Sequence, residues 1–224
     1  MIEILVHRYY SKQHYSTIFN PNTGFFLRLE EPGYSLPFWS ESGPELLDIS
    51  ITRWCDRKCP RCYRKSDTSG AHMSIRDYDQ IMNQVKNLPV NQVALGGGNP
   101  NQHPDFCEIL RSTREEYGIV PSYTTNGRGL TQDVIESSRK YCGAVAVSAY
   151  PPYQELEEAI EKLTSNGVKT NIHFVLDKKS VMTAIAWLKE PPAFLSKINA
   201  IIFLNYKPLG RIEDAIGLLK ESNR

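Results

Sequence analysis

The run "LLDISITRWCDRKCPRC", residues 46–62, passes from an apolar stretch into three cysteines spaced C-x3-C-x2-C. Residues 46–52 carry the Leu, Ile and Thr content of a strand buried in a sheet. Cys55, Cys59 and Cys62 follow at once, so the thiols sit on the loop leaving the carboxyl end of that strand. In parallel α/β folds this is the end at which sites are built.

Moving outward, the same strand character returns at 92–95, 120–124, 144–149, 169–176 and 199–205. Helical patterns fill the gaps. Ser74 with Asp77 makes a start signal, and Tyr78, Ile81, Met82, Val85 and Leu88 form one apolar stripe. Phe106, Ile109, Leu110, Thr113 and Tyr117 repeat it before Gly118, as do Leu156, Ala159, Ile160 and Leu163 before Gly167. Thr131 and Ser180 are the expected caps of two more helices, and 213–221 reads as a sixth. Strand–helix units in series imply parallel pairing with right-handed crossovers. Six units fall short of the eight that close a full barrel. The expected fold class is therefore α/β, a partial (β/α)6 barrel. Upstream, "YSTIFNPNTGFFLRLE" puts a turn between two apolar-aromatic runs. It predicts an N-terminal β-hairpin extension with its linker over residues 1–46, ahead of a barrel domain over 47–224.

The chain has 224 residues and is 41% hydrophobic, enough for one sizeable core. Its net charge of +1 gives no strong nucleic-acid signal and no field favouring a membrane. No apolar run reaches the length of a membrane span, and the N-terminus lacks the long apolar stretch of a signal peptide. A cytoplasmic, reducing location follows as an expectation, in which clustered cysteines are ligands or catalysts more often than disulfides. Five cysteines, an odd number, point the same way. Cys107 and Cys142 fall in helical patterns and read as small buried side chains.

Three thiolates on one loop can hold three corners of a cuboidal iron–sulfur cluster. A closed structural zinc site needs four ligands, for which His72 is the nearest further candidate. Without a fourth cysteine at a strand end, one iron is left open to an exogenous ligand.

This pattern resembles the radical S-adenosylmethionine (radical SAM) family. The resemblance extends in order through "LGGGNPNQHPDF" (95–106), "TTNG" (124–127), "VSAY" (147–150) and "NYKPLGR" (205–211). It implies a [4Fe–4S] cluster on Cys55, Cys59 and Cys62, with SAM on the open iron. It also implies reductive cleavage of SAM to a 5′-deoxyadenosyl radical that takes hydrogen from a substrate. By the same resemblance Gly97 and Gly98 bind the SAM amino group. Asn99 stands where the family usually has Glu, keeping an acceptor oxygen but losing the charge. Arg61 replaces the usual aromatic near the adenine, and Tyr63 follows the last cysteine. Thr125, Asn126 and Ser148 offer groups for ribose, carboxylate or substrate.

Beyond the resemblance, His173 shares a strand face with Asn171 and Val175 and is a possible substrate contact, as are Lys207 and Arg211 after the last strand. The catalytic residues and the substrate are not legible; a peptide or other polymer suits an incompletely closed barrel and a hairpin edge. The six basic residues from Arg53 to Lys65, against the single acid Asp56, suggest docking of an acidic flavodoxin- or ferredoxin-type electron donor. The alternative is a non-enzymatic iron–sulfur or zinc module, or a degenerate relative acting in partner binding.

Overall fold

In a computed structural model, which describes residues 5–36 and 41–211, the chain forms two sheets. The first is antiparallel, β1 (Val6–Tyr10), β2 (Tyr15–Phe19) and β3 (Phe26–Glu30), in that order. The second holds six parallel strands in sequence order: β4 (Leu46–Thr52), β5 (Gln92–Gly97), β6 (Val120–Thr125), β7 (Val145–Ser148), β8 (Thr170–Leu176) and β9 (Ala200–Asn205). Helices α1 (Ile75–Val85), α2 (Phe106–Glu115), α3 (Gln132–Tyr141), α4 (Gln154–Ser165) and α5 (Val181–Lys189) make the crossovers. This is the partial β/α barrel; among the described residues β4 and β9 are its edges, and the carboxyl end of β4 is bonded to residues 71–73. The expected sixth helix, 213–221, lies outside the described residues.

The core sits between sheet and helices. Ile49, Ile51, Val93, Leu95, Tyr123, Val145, Val147, Ile172 and Phe174 face outward onto Tyr78, Met82, Ile109, Leu110, Ile135, Ile160 and Leu163. Burying each such aliphatic side chain contributes about 1.5–3 kcal/mol. Alternation turns the intervening residues to the other side of the sheet. That inner wall is polar at Asp48, Ser50, Ser122, Thr124, Ser148, Asn171 and His173 and apolar at Ala94, Ala146, Val175 and, on β9, Ile202 and Leu204.

Local start signals are realised at α1 and α3, where the Ser74 hydroxyl accepts from the Asp77 amide at 3.1 Å and the Thr131 hydroxyl accepts from Val134 at 3.4 Å. Ser180 does not cap α5. Asp177 does that work, its carboxylate accepting from the Lys179 and Ser180 amides at 2.8 and 2.7 Å. A carboxylate three residues upstream satisfies two free amides at once, leaving the serine hydroxyl to bond the Val175 carbonyl.

The expected hairpin is β2–β3, with a turn fixed by the Asn20 side chain accepting from Asn22 and Thr23. It gains a third strand, β1, whose His7 and Arg8 interrupt the apolar pattern by which strands are read. The small sheet is tied to the amino ends of the barrel strands. Arg28 pairs with Glu45 at 2.7 Å, and Arg8 bonds Asn91 and the Pro89 carbonyl. Lys169 reaches the Thr23 carbonyl at 2.9 Å. This sheet therefore closes the end of the barrel opposite the cysteine loop.

Candidate functional site

The cysteine loop leaves β4 and returns to lie beside its own start. Arg53 donates to the Ala71 carbonyl at 2.8 Å and Cys55 to that of Asp67 at 3.0 Å. All three thiols are free of disulfides, Cys55 buried and the other two half-buried. Two of them meet a hydrogen-bond donor. Asn126 Nδ2 reaches Cys55 Sγ at 3.6 Å, and the Ser66 amide reaches Cys62 Sγ at 3.4 Å. Tyr150 stands near Cys59, and burial pushes its phenol up. Burial pushes the Cys59 thiol up, while the Arg57 charge opposes it.

Ion pairs fix the loop across the top of the barrel. Arg57 pairs with Glu155 at the start of α4 and lies over the Tyr150 ring at 4.5 Å. Arg128, after β6, holds the other Glu155 oxygen at 2.7 Å. Arg61 pairs with Asp177 at 2.6 Å and lies 5.0 Å over the ring of Tyr206, beyond β9. Two of the six expected docking cations are thus turned inward, because acids distant in sequence arrive at the same rim. Arg53 and Lys58 are exposed. Arg61, expected beside an adenine ring, is occupied by these two partners.

The tail after β9 clasps the same loop. Gly210, at φ +91°, lies so close that a Cβ there would fall 2.4 Å from the Cys62 carbonyl oxygen and from Tyr63 Cα. Arg211 donates its amide to Cys62 O at 3.0 Å and its guanidinium to Ser66 O at 2.7 Å. Its side chain braces the loop rather than waiting for an anion. Lys207 is exposed, and so is Tyr63, at 65%.

At the end of β5 the glycines divide in two. A Cβ on Gly97 or Gly98 would strike the Thr52 or Trp54 carbonyl at 2.0 Å, so their bareness admits the neighbouring chain. Gly96 faces the inner wall, where a Cβ would meet only Asp48, at 3.5 Å. Asn99 is buried and fully engaged. Its Oδ1 accepts from Thr125 Oγ1 at 3.2 Å and from the Asn126 amide at 2.9 Å, and its Nδ2 donates to the Arg128 carbonyl at 3.1 Å. Asn101 donates to that carbonyl too, at 2.7 Å. Asn99 therefore fastens the β5 loop to the β6 loop, and its acceptor oxygen is already taken.

Thr125, Asn126 and Ser148 stand together at the carboxyl ends of β6 and β7 beside the thiols. His173 lies deeper in the inner wall, its Nδ1 3.3 Å from Thr124 Oγ1, and burial holds it below the ordinary histidine range. His72 bonds Thr52 Oγ1 at 2.9 Å and stacks on Trp54 instead of joining the cysteines. Among the described residues no three or more His, Cys, Asp or Glu side chains are gathered closely enough to hold a metal ion, the three thiols included. Cys107 and Cys142 pack against the core, and burial pushes the Cys142 thiol up. Tyr150 escaped sequence reading, although it lies within "VSAY" two residues after Ser148. Three unbridged thiols on one loop, two of them met by a hydrogen-bond donor, are of the kind that holds an iron–sulfur cluster with an external ligand.

Residues 49–182 match the model of the Radical SAM superfamily. The chain is 32% identical over 108 residues to GTP 3′,8-cyclase from Cronobacter sakazakii, a match covering 46% of this chain and 33% of that protein. It spans a third or less of the length of the curated relatives it matches. SuiB from Streptococcus suis bound to S-adenosylmethionine superposes with a TM-score of 0.69 at 17% identity, covering 98% of this chain and 65% of that one. SuiB bound to its precursor peptide SuiA gives 0.67 at 16% identity, over 88% and 61%. At these identities the likeness is one of fold. No helix among the described residues is long and apolar enough to cross a membrane.

Proposed function

Because this chain belongs to the radical SAM superfamily, we propose that it is an enzyme that cleaves SAM reductively, with Cys55, Cys59 and Cys62 as the ligands of its cluster. The family's cofactors are a [4Fe–4S] cluster and SAM. When bound, they supply an electron and a 5′-deoxyadenosyl radical able to abstract hydrogen. The observation that carries the reading is the set of three unbridged thiols on the loop after the first barrel strand, two of them met by a donor.

The chain's own residues divide the remaining work. Gly97 and Gly98 let the β5 end lie against the cysteine loop, and Asn99 locks the β6 loop beside it. Thr125, Asn126 and Ser148 are proposed to present polar groups at the rim for SAM, and the exposed Tyr63 a ring for its adenine, while Arg61 is held by Asp177 and Tyr206. His173, neutral at pH 7, presents an imidazole to the inner wall, where it can hydrogen-bond a substrate without adding charge. Lys207 is exposed past β9 and is the basic residue best placed for an anionic substrate group. Electrons are proposed to come from an acidic flavodoxin- or ferredoxin-type donor docking where Lys58 is exposed.

We propose a peptide as substrate. The polar part of the inner wall and the β9 edge, which pairs with no further strand among the described residues, favour an extended chain threading the barrel mouth, and a fold neighbour is known with a peptide bound. A nucleoside triphosphate is the second reading, favoured by the match to GTP 3′,8-cyclase. The test is anaerobic reconstitution followed by reduction with SAM present. Four irons per chain and slow release of 5′-deoxyadenosine are expected. Both should be lost in Cys55→Ala, Cys59→Ala and Cys62→Ala but kept in Cys107→Ala and Cys142→Ala. Peptides should accelerate the release; acceleration by GTP alone would select the second reading. Full cluster retention in Cys59→Ala would overturn the assignment.

A further inference from the structure

The arginines around the cysteine loop divide into two sets. Arg57, Arg61 and Arg211 each have acceptors across the rim. Arg53 and Arg64 have no acid partner among the described residues, and the Arg64 Nε is buried with no acceptor. Both line one cleft of about 260 Å³ beside the carboxyl end of β4, together with Ser50, Thr52, His72 and Met73. The 71–73 segment is held against the strand there, the Met73 amide donating to the Ile51 carbonyl and the Arg53 amide to that of Ala71, both at 2.8 Å. Among the described residues no acid lines the cleft; Asp48, one step deeper on the same face of β4, stays outside it.

The imidazole in the cleft is set as a donor. The Thr52 hydroxyl oxygen accepts from the Trp54 amide at 2.9 Å, and its own proton can go to His72 Nδ1, also at 2.9 Å. That bond leaves the ring hydrogen on Nε2, which has no acceptor among the described residues. Two guanidiniums and an Nε2–H thus line one cleft with no counter-charge. A buried N–H left without an acceptor costs stability, and a ligand oxygen would relieve it. Guanidinium forks match the oxygens of a carboxylate or a phosphate. We infer that this cleft is an oxyanion subsite, with Arg64 and Arg53 binding a carboxylate or phosphate group of the substrate. It is smaller than pockets that enclose a whole ligand, so it takes the charged group and leaves the rest in the barrel mouth. Lys207 is a lone exposed cation past β9, whereas this is a second anion contact built from several residues. Resting on the peptide reading above, the group is the carboxylate of an acidic residue; on the nucleotide reading it is a phosphate.

The experiment is isothermal titration calorimetry of the anaerobically reconstituted full chain with three probes: a short polyglutamate peptide, pyrophosphate and SAM. The peptide should bind, and Arg64→Gln should weaken it by about tenfold to a hundredfold, the loss of one charge-assisted contact. Arg64→Lys, which keeps the charge without the fork, should recover part of the loss. Arg53 is exposed, so Arg53→Gln tolerates the change and should weaken binding in the same direction even if Arg64→Gln fails to fold. Lys86→Gln removes the same charge from the exposed end of α1, outside the cleft, and should change nothing. SAM affinity should stay constant throughout. Pyrophosphate binding that depends on Arg64, without peptide binding, would keep the subsite and assign it to a nucleotide phosphate. Binding of neither anion, or equal binding in Arg64→Gln, Arg53→Gln and wild type, would overturn the inference. So would a SAM affinity that falls in Arg64→Gln, which would give the cleft to the SAM carboxylate. The anion titrations can be read on the full chain with or without its cluster, so protein that loads no iron would sink the proposed function and leave the subsite standing.

Discussion

Replacing Asn99 separates a brace from a ligand contact. Asn99 is 1% exposed and makes three hydrogen bonds, two through Oδ1 and one through Nδ2. In Asn99→Ala the Asn126 amide loses its acceptor, which costs about 1–3 kcal/mol for a stranded donor. The Thr125 hydroxyl loses a partner worth about 1 kcal/mol. The Arg128 carbonyl keeps Asn101 at 2.7 Å and is not stranded. The expected loss is about 3 kcal/mol, which at 2–4 °C per kcal/mol lowers the thermal midpoint by about 6–12 °C. Asn99→Asp retains both acceptor contacts but sets an oxygen against the Arg128 carbonyl, so it should also destabilise. Asn99→Glu brings the residue usual in the family but adds a methylene at a position 1% exposed and gives up the bond to the Arg128 carbonyl, so it should not rescue. Circular dichroism melts of the cluster-free protein and a SAM titration of the reconstituted protein measure the two effects separately. An Asn99→Ala midpoint within about 2 °C of wild type, with SAM binding weakened tenfold or more, would refute the brace and make the amide a ligand contact.

Hydrogen bonding from Arg128, with further help from Arg57, holds the Glu155 carboxyl below the ordinary glutamate value of 4.5, against the opposing effect of burial. Its ionised form is therefore favoured in the folded state. The stability advantage over Glu155→Gln should be full above pH 4.5, about 1 kcal/mol at most because both pairs are partly solvated, and should shrink as pH falls further. Urea melts at pH 7 and pH 3.5 check it, and an advantage that grows at low pH would refute it. Gly210→Ala must accommodate a Cβ at 2.4 Å from Cys62 O and a positive φ costing about 1–2 kcal/mol, so cluster iron should pass to a chelator about tenfold faster. An unchanged rate would mean the tail does not restrain the loop. Lys58→Glu should slow reduction by an acidic protein donor, more so at low salt, and leave reduction by dithionite unchanged; equal slowing by both would point to damage in the loop.

The parts legible in the sequence are those whose cause is local. Six strands and five helices were readable because runs such as 169–176 and stripes such as Tyr78–Met82 carry their own periodicity. The cysteine loop was readable from its spacing alone. What escaped depends on partners far along the chain. Nothing near Arg57 or Arg61 announces Glu155 and Asp177, 98 and 116 residues away, so both arginines read as free cations. Asn99 read as a possible SAM acceptor because its three partners lie 26 to 29 residues downstream. Gly97 and Gly98 read as SAM contacts, while a Cβ on either would strike the Thr52 or Trp54 backbone. Ser180 failed as a cap for a nearer reason: Asp177 was an equally local and stronger acceptor.

The clasp formed by Gly210 and Arg211 on Cys62 and Ser66 also sets an order of events during synthesis. All three cysteines leave the ribosome roughly 150 residues before the residues that fasten their loop. At about 5–20 residues per second that is a lag of about 7–30 s, during which three neighbouring thiols are exposed to oxidants and stray metals. Insertion of a cluster on the nascent chain would act on an unfastened loop. Delivery after release meets one already braced, and a maturation factor that waits for the completed barrel would be spared the wrong metal.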